Sequence, residues 1–247
     1  MNKNKYLFLK LTAVCSLLGA LTTALLIFLP NTTAVDDPTP ALLSQDNLYM
    51  AKKWILFLHP QVNFIASLGV ACLFIRKFPL QVLLGSFFLL IWCYTEMAQQ
   101  AFVIDALNQM WRTEYLSADH NEKEAYYTLF KVAGGLSDSY YFLLLYGFGL
   151  GTLLFALAFI QTSGLGRWIG YVLVFIGVLS LLAFATYYLG LTALADLVGW
   201  IYKWIYAWLQ PAVRIAIGVW LFKQIIQQKD MTSNATVTNP VEFLRQD

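Results

Sequence analysis

The chain has 247 residues, 59% of them hydrophobic and only 12% charged, with 16 basic and 14 acidic side chains for a net charge of +2. Such a composition would expose far too much apolar surface in water, where about 25% charged residues is usual, so a soluble domain is excluded and an integral membrane protein is expected. The near-neutral charge gives a nucleic-acid partner no electrostatic support.

Six apolar stretches are long enough to cross a bilayer, near 11–30, 54–75, 80–104, 139–162, 166–190 and 200–222. Backbone groups in hydrocarbon must satisfy one another, and continuous apolar runs of this length do so as helices. The two-residue alternation of a β-barrel is absent. The expected fold is all-α, a polytopic transmembrane bundle forming a single domain over 1–228.

The first run follows Lys3, Lys5 and Lys10 and precedes Asp36, Asp37 and Asp46. Its length of about 20 residues exceeds the 7–15 of a secretory h-region, which favours a retained span over a leader cleaved before Val35. With Arg76–Lys77 and Arg167 in short turns, this asymmetry puts both termini of the multi-pass chain in the cytoplasm. Lys52–Lys53 is the departure from it. Residues 31–50, rich in Pro, Thr and Asp, are expected to form an irregular outer loop.

The third run carries a glutamate deep within it, Glu96, with Gln99 and Gln100 on the same helical face. A carboxylate at that depth is expensive and faces a polar cavity or a partner more often than lipid. Counted at about 1.5 Å per residue, Glu96 lies about 12 Å below the outer end of its helix, and His59 and Asn63 lie roughly 8 and 14 Å below theirs. A cavity lined by His59, Asn63, Glu96 and Gln100 is therefore geometrically possible. The bland alternative makes Glu96 interhelical glue, worth only about 0.6–2 kcal/mol per contact.

Ala101, Ile104, Leu107, Met110 and Trp111 keep a helical spacing beyond the third run, so that helix projects outward into a segment spanning 105–137. Asn121 and Glu124 resemble a capping pair for a short amphipathic helix over 122–133, which Gly134–Gly135 ends before Ser137 or Asp138 caps the fourth span. Gly147 and Gly151 would let that span approach a neighbour closely. Tyr140–Tyr141, Tyr187–Tyr188 and Trp200, Trp204 and Trp208 read as interfacial aromatics.

Arg214 is the other buried charge, three residues after Pro211. It lies about 12 Å from the inner end, against about 25 Å for Glu96. A direct pair would need the arginine to reach outward and one helix to shift by about a turn; otherwise Arg214 snorkels inward or meets a lipid headgroup. After Gln228 the chain is polar, and residues 229–247 are expected to form a disordered cytoplasmic tail.

The chemistry is otherwise sparse. Cys15, Cys72 and Cys93 lack metal or disulfide spacing, and two histidines cannot build a di-iron or zinc cluster. There is no HExxH, GxSxG, phosphate loop or dinucleotide fingerprint, so no metal, cofactor or catalytic set is expected. The candidate ligand-binding residues are Glu96, Gln99, Gln100, His59, Asn63 and Arg214. The reading is a binder or transporter of a small molecule or lipid. One alternative is an assembly factor that docks a protein partner through 105–137. Another is a membrane enzyme using Glu96 as acid or base.

Over residues 80–225 the chain resembles a family of small six-helix bacterial membrane proteins known only as a domain of unknown function. The residues that carry the resemblance are Glu96, the stretch Asp138-Ser139-Tyr140-Tyr141-Phe142 with the glycines after it, Gly166-Arg167-Trp168-Ile169-Gly170, and Pro211, Arg214 and Trp220-Leu221. The family commonly has a glutamate at the position of Arg214, where this chain departs. The resemblance implies a six-helix bacterial membrane fold and no activity.

Overall fold

A computed structural model describes residues 3–30 and 40–237. It is all-helical, with six helices long and apolar enough to cross a membrane: α1 Lys3–Phe28, α2 Asn47–Phe74, α3 Pro79–Ser117, α4 His120–Ile160, α5 Leu165–Tyr188 and α6 Thr192–Gln227. Residues 31–39 of the loop expected over 31–50 lie outside the described residues, and Pro40–Gln45 forms a short 3-10 helix. Asp46 then caps α2, its side chain accepting from the amides of Leu48 and Tyr49.

Several helices are longer than the hydropathy suggests. The polar side chains at their ends lower the average without breaking the backbone. Helix α3 runs on through a π-helical segment, Val103–Trp111, to Ser117. Asn108 donates to the Val103 carbonyl five residues back, filling the gap that the wider winding opens. Its Oδ1 accepts from Arg112, which also reaches Tyr49 Oη at 3.1 Å.

The expected short helix over 122–133 is instead the first part of α4, which is continuous from His120 to Ile160. The capping pair is Asp119 with Glu122, rather than Asn121 with Glu124. Gly134 and Gly135 sit in mid-helix with nothing within 4 Å of an added Cβ, so neither marks a break. The last helix likewise continues to Val237, so the tail expected after Gln228 is helical over its first residues. Residues 238–247 lie outside the described residues.

Each helix runs antiparallel to the one before it, and α6 returns against α1 to close a six-membered ring. Pairings along the α1–α6 seam establish the closure: Phe28 stacks on Trp208 at 4.7 Å, and Ser16 bonds the Arg214 carbonyl at 2.7 Å. One end of the bundle, the terminal end, carries Lys3, the last turns of α6 and the short turns near 75–78 and 161–164. The other carries the α3–α4 hairpin and the α5–α6 turn at Gly190, whose φ of +75° suits glycine. At the terminal end the ring is filled by aromatics, with Phe74, Phe159 and Trp220 mutually in contact at 5.0–5.3 Å.

Glycine sets the tightest approaches. A Cβ on Gly147 would lie 2.8 Å from the Phe88 carbonyl oxygen, and one on Gly170 would lie 2.6 Å from the Ile160 nitrogen. Helices α3, α4 and α5 thus meet backbone to backbone, as small residues at membrane-helix interfaces allow.

Candidate functional site

The axis of the ring holds two adjoining spaces. The lower one, about 80 Å³, is largely apolar, bounded by Leu89, Phe155, Phe159, Leu173 and Ile176. Above it is a chamber of about 250 Å³ to which α2 through α6 contribute polar or aromatic side chains. The two share Trp92, Phe148, Gln210 and Arg214 as a common wall.

Glu96 lines the chamber from α3, only 7% exposed, with Trp92 one turn earlier lining the same space. Across the chamber, α6 supplies Tyr202, Tyr206, Gln210 and Arg214 at four-residue steps. A second π-helical segment, Tyr202–Tyr206, begins this face. Its wider turn keeps both tyrosines over the same space, with ring centroids 4.6 Å apart. Tyr141 from α4 and Ser180 from α5 complete the wall, and Tyr202 Oη lies 3.5 Å from Ser180 Oγ.

Arg214 is held by neutral partners. Its Nε donates to Gln210 Oε1 at 2.9 Å, and its Nη1 donates to Asn63 Oδ1 on α2. Gln210 in turn donates to Tyr206 Oη at 2.7 Å. Asn63 has its own amide committed to the His59 carbonyl at 2.7 Å, which leaves its oxygen for the arginine. His59 Nδ1 sits 2.9 Å from Thr22 Oγ1, bringing α1 into the chain. A continuous polar run therefore links Tyr206, Gln210, Arg214, Asn63, His59 and Thr22 across three helices. Gly19 provides the room for it, since any side chain there would occupy the position of the Asn63 amide.

Glu96 and Arg214 thus face one chamber without forming a direct ion pair. Each is a desolvated charge whose electrostatic complement stands across a space, and a buried charge left this way favours a guest that meets both. Arg214 does not snorkel toward the terminal end. The depth mismatch expected between the two charges is smaller than the sequence count gave. That count ran from residues 80 and 222, and α6 continues past 222 to Gln227, so the apolar-run boundary misjudged the level of Arg214.

The sequence candidates divide. Glu96, His59 and Arg214 line the chamber, and Asn63 borders the apolar space while bridging two of them. Gln99 does not line it; its amide donates to the Ser137 carbonyl at 2.8 Å and ties α3 to α4. Gln100 does not line it either. Its Nε2 bonds Gln99 Oε1, and its own carbonyl oxygen is buried without a partner. His59 is 7% exposed and twelve residues into α2.

Tyr141, Tyr202, Tyr206, Gln210 and Ser180 escaped the sequence reading. Tyr141 was expected in an interfacial belt. The α6 set had a legible signal: Tyr202, Tyr206, Gln210 and Arg214 recur every four residues on a register offset by two from the exposed Trp200, Trp204 and Trp208. Among the described residues no group of three or more His, Cys, Asp or Glu side chains comes together to hold a metal ion.

Comparison of the chain with protein-family models, with curated proteins and with solved structures found no match. The functional reading therefore rests on the chamber itself.

Proposed function

We propose that this chain is a multi-pass membrane protein that binds, and in the simplest case carries, a small molecule or lipid whose polar group occupies the chamber between Glu96 and Arg214. The single observation behind this is the carboxylate and guanidinium that line one cavity from opposite sides, unpaired with each other. The remaining arginine donors and the Glu96 oxygens can bond a guest that presents an acceptor to one and a donor to the other. A chamber of about 250 Å³ matches a headgroup or metabolite-sized guest rather than a polymer.

The charge pattern supports both termini being cytoplasmic, which in a bacterial inner membrane puts the α3–α4 hairpin and the chamber's nearer end on the outer side. Lys52, the apparent violator, fits this orientation because it has a structural duty: its Nζ donates to the Leu29 carbonyl at the end of α1, at 2.7 Å. Alkaline phosphatase fusions at residue 118 and green fluorescent protein fusions at the carboxyl terminus test it. Activity in the first and fluorescence in the second are expected; the reverse pattern would sink the orientation.

Native mass spectrometry of the purified protein beside Glu96→Gln tests the binding reading. A stoichiometric adduct that disappears in the variant is expected. Identical adduct-free spectra would return Glu96 to a structural role and favour docking of a protein partner at the hairpin. Exposed Met110, Tyr127 and Val132 make that hairpin the next surface to test.

A further inference from the structure

We infer that the chamber takes an ammonium–phosphate zwitterion carried on a single acyl chain, and that the chain enters through the α5–α6 face; this rests on the binding reading above and specifies its ligand. Three aromatic side chains from three helices, Trp92, Tyr141 and Tyr206, bound the same space as Glu96, with Tyr202 beside them. A carboxylate set among aromatic faces is the chemistry that selects an organic ammonium, through Coulomb attraction and cation–π contact in a desolvated site. The opposite wall holds Arg214, whose planar donors suit a phosphate and whose Nε and Nη1 are pre-oriented by Gln210 and Asn63. A guest with both charges satisfies both walls at once; an anion or a cation alone leaves one buried charge uncompensated.

The route follows from a second space. A vestibule of about 440 Å³ lies against the outside of the chamber, between Ala183, Thr186 and Tyr187 of α5 and Ala195, Val198 and Gly199 of α6. Tyr141 and Tyr202 line both spaces, so these two side chains are the partition between them. Close in sequence to its lining, Leu189, Leu191 and Leu197 are apolar and exposed. Helices α5 and α6 also pack on each other less extensively than any other sequential pair in the ring. A headgroup in the chamber with its chain lying in the vestibule matches this polarity, whereas a wholly polar solute would have to pass the apolar side chains of Ala183, Ala195 and Val198.

The test uses the full chain in a non-ionic detergent, titrated with three probes by native mass spectrometry and thermal shift: lysophosphatidylcholine, lysophosphatidylglycerol of the same acyl length, and free phosphocholine. The expected result is one lysophosphatidylcholine per chain, bound at least about tenfold more tightly than either other probe. In Glu96→Gln the preference over lysophosphatidylglycerol should shrink to under about threefold. Gly199→Trp should fill the vestibule, since nothing lies within 4 Å of a Cβ there, and remove the advantage over free phosphocholine. Equal affinity for the two lysolipids in the unmodified protein overturns the zwitterion assignment without needing any variant. A chain advantage that survives Gly199→Trp overturns the route. If none of the probes binds while another adduct is lost in Glu96→Gln, this inference falls and the binding reading stands; if no adduct of any kind is found, both fall.

Discussion

The α3–α4–α5 half of the ring and the α6–α1–α2 half are held together differently. In the first, glycines bring backbones into contact: Gly147 against Phe88, Gly151 against Leu89, and Gly149 against Gly177. In the second, Gly19 and Gly69 instead make room for the polar side chains of Asn63 and Thr12, while Gly218 packs on Leu17 and the Ala13 carbonyl, and the joints include hydrogen bonds such as Ser16 to the Arg214 carbonyl. Backbone contact is rigid and has no tolerance for added volume. Side-chain joints are individually weaker and can exchange partners. The chamber lies where the two halves meet, with Glu96 mounted on the rigid half and Arg214 on the adjustable one.

The sharpest way to break this comparison is to add volume to the rigid half. Gly170→Val places a Cβ against the Ile160 backbone nitrogen, which cannot swing aside, and should cost about 3 kcal/mol or more. Loss of a folded monodisperse peak, or a large fall in melting temperature in detergent, is expected. A mild effect would show that α4 and α5 can slide apart and that the halves do not differ.

On the adjustable half, Asn63→Leu removes the acceptor for Arg214 and the donor to the His59 carbonyl together. Leaving a buried guanidinium short of a partner should destabilise by about 2–3 kcal/mol. A cycle with Arg214→Met measures the coupling: the second change should restore part of the loss, because the stranded charge is gone. Strict additivity of the two would mean that the pair is not in contact.

Glu96→Gln should be smaller, about 1 kcal/mol or less in the ligand-free protein, because no direct ion pair is broken. Had Glu96 and Arg214 been paired, removal of one partner would cost about 3–5 kcal/mol. Chemical denaturation of ligand-free material separates these cases. A loss in the larger range would replace the open chamber with a closed salt bridge.

The sequence resolved the architecture better than the site, for a physical reason. Six apolar runs are written in composition, which survives averaging over a window, so the helix count and antiparallel order follow from it. Helix ends are governed by a few capping atoms and by polar residues that winding tolerates, and there the reading failed at Asn121, at Gly134–Gly135 and after Gln228. Glu96 announced itself because a carboxylate is costly in hydrocarbon. Tyr141 and Tyr206 did not, since tyrosine belongs equally in an interfacial belt, and only the facing helices decide which role it plays. Gln99 and Gln100 shared the face of Glu96 but lie up to one turn further along, where α3 meets α4 rather than the chamber.

The smallest effect tests that same lesson at Gly134–Gly135. Within a continuous α4 both residues are helical, exposed and free of neighbours, so glycine there contributes only backbone freedom to the unfolded chain. Gly134→Ala and Gly135→Ala should each stabilise the protein by about 0.5 kcal/mol, the lower part of the range for glycine in a helix interior. The double variant should add the two, since neither Cβ meets a partner. Were the helix broken here, one of the glycines would hold a left-handed φ that alanine resists, and the same substitution would destabilise instead. The sign of the melting shift therefore decides whether α4 carries the hairpin as one rigid rod or as two segments joined by a hinge.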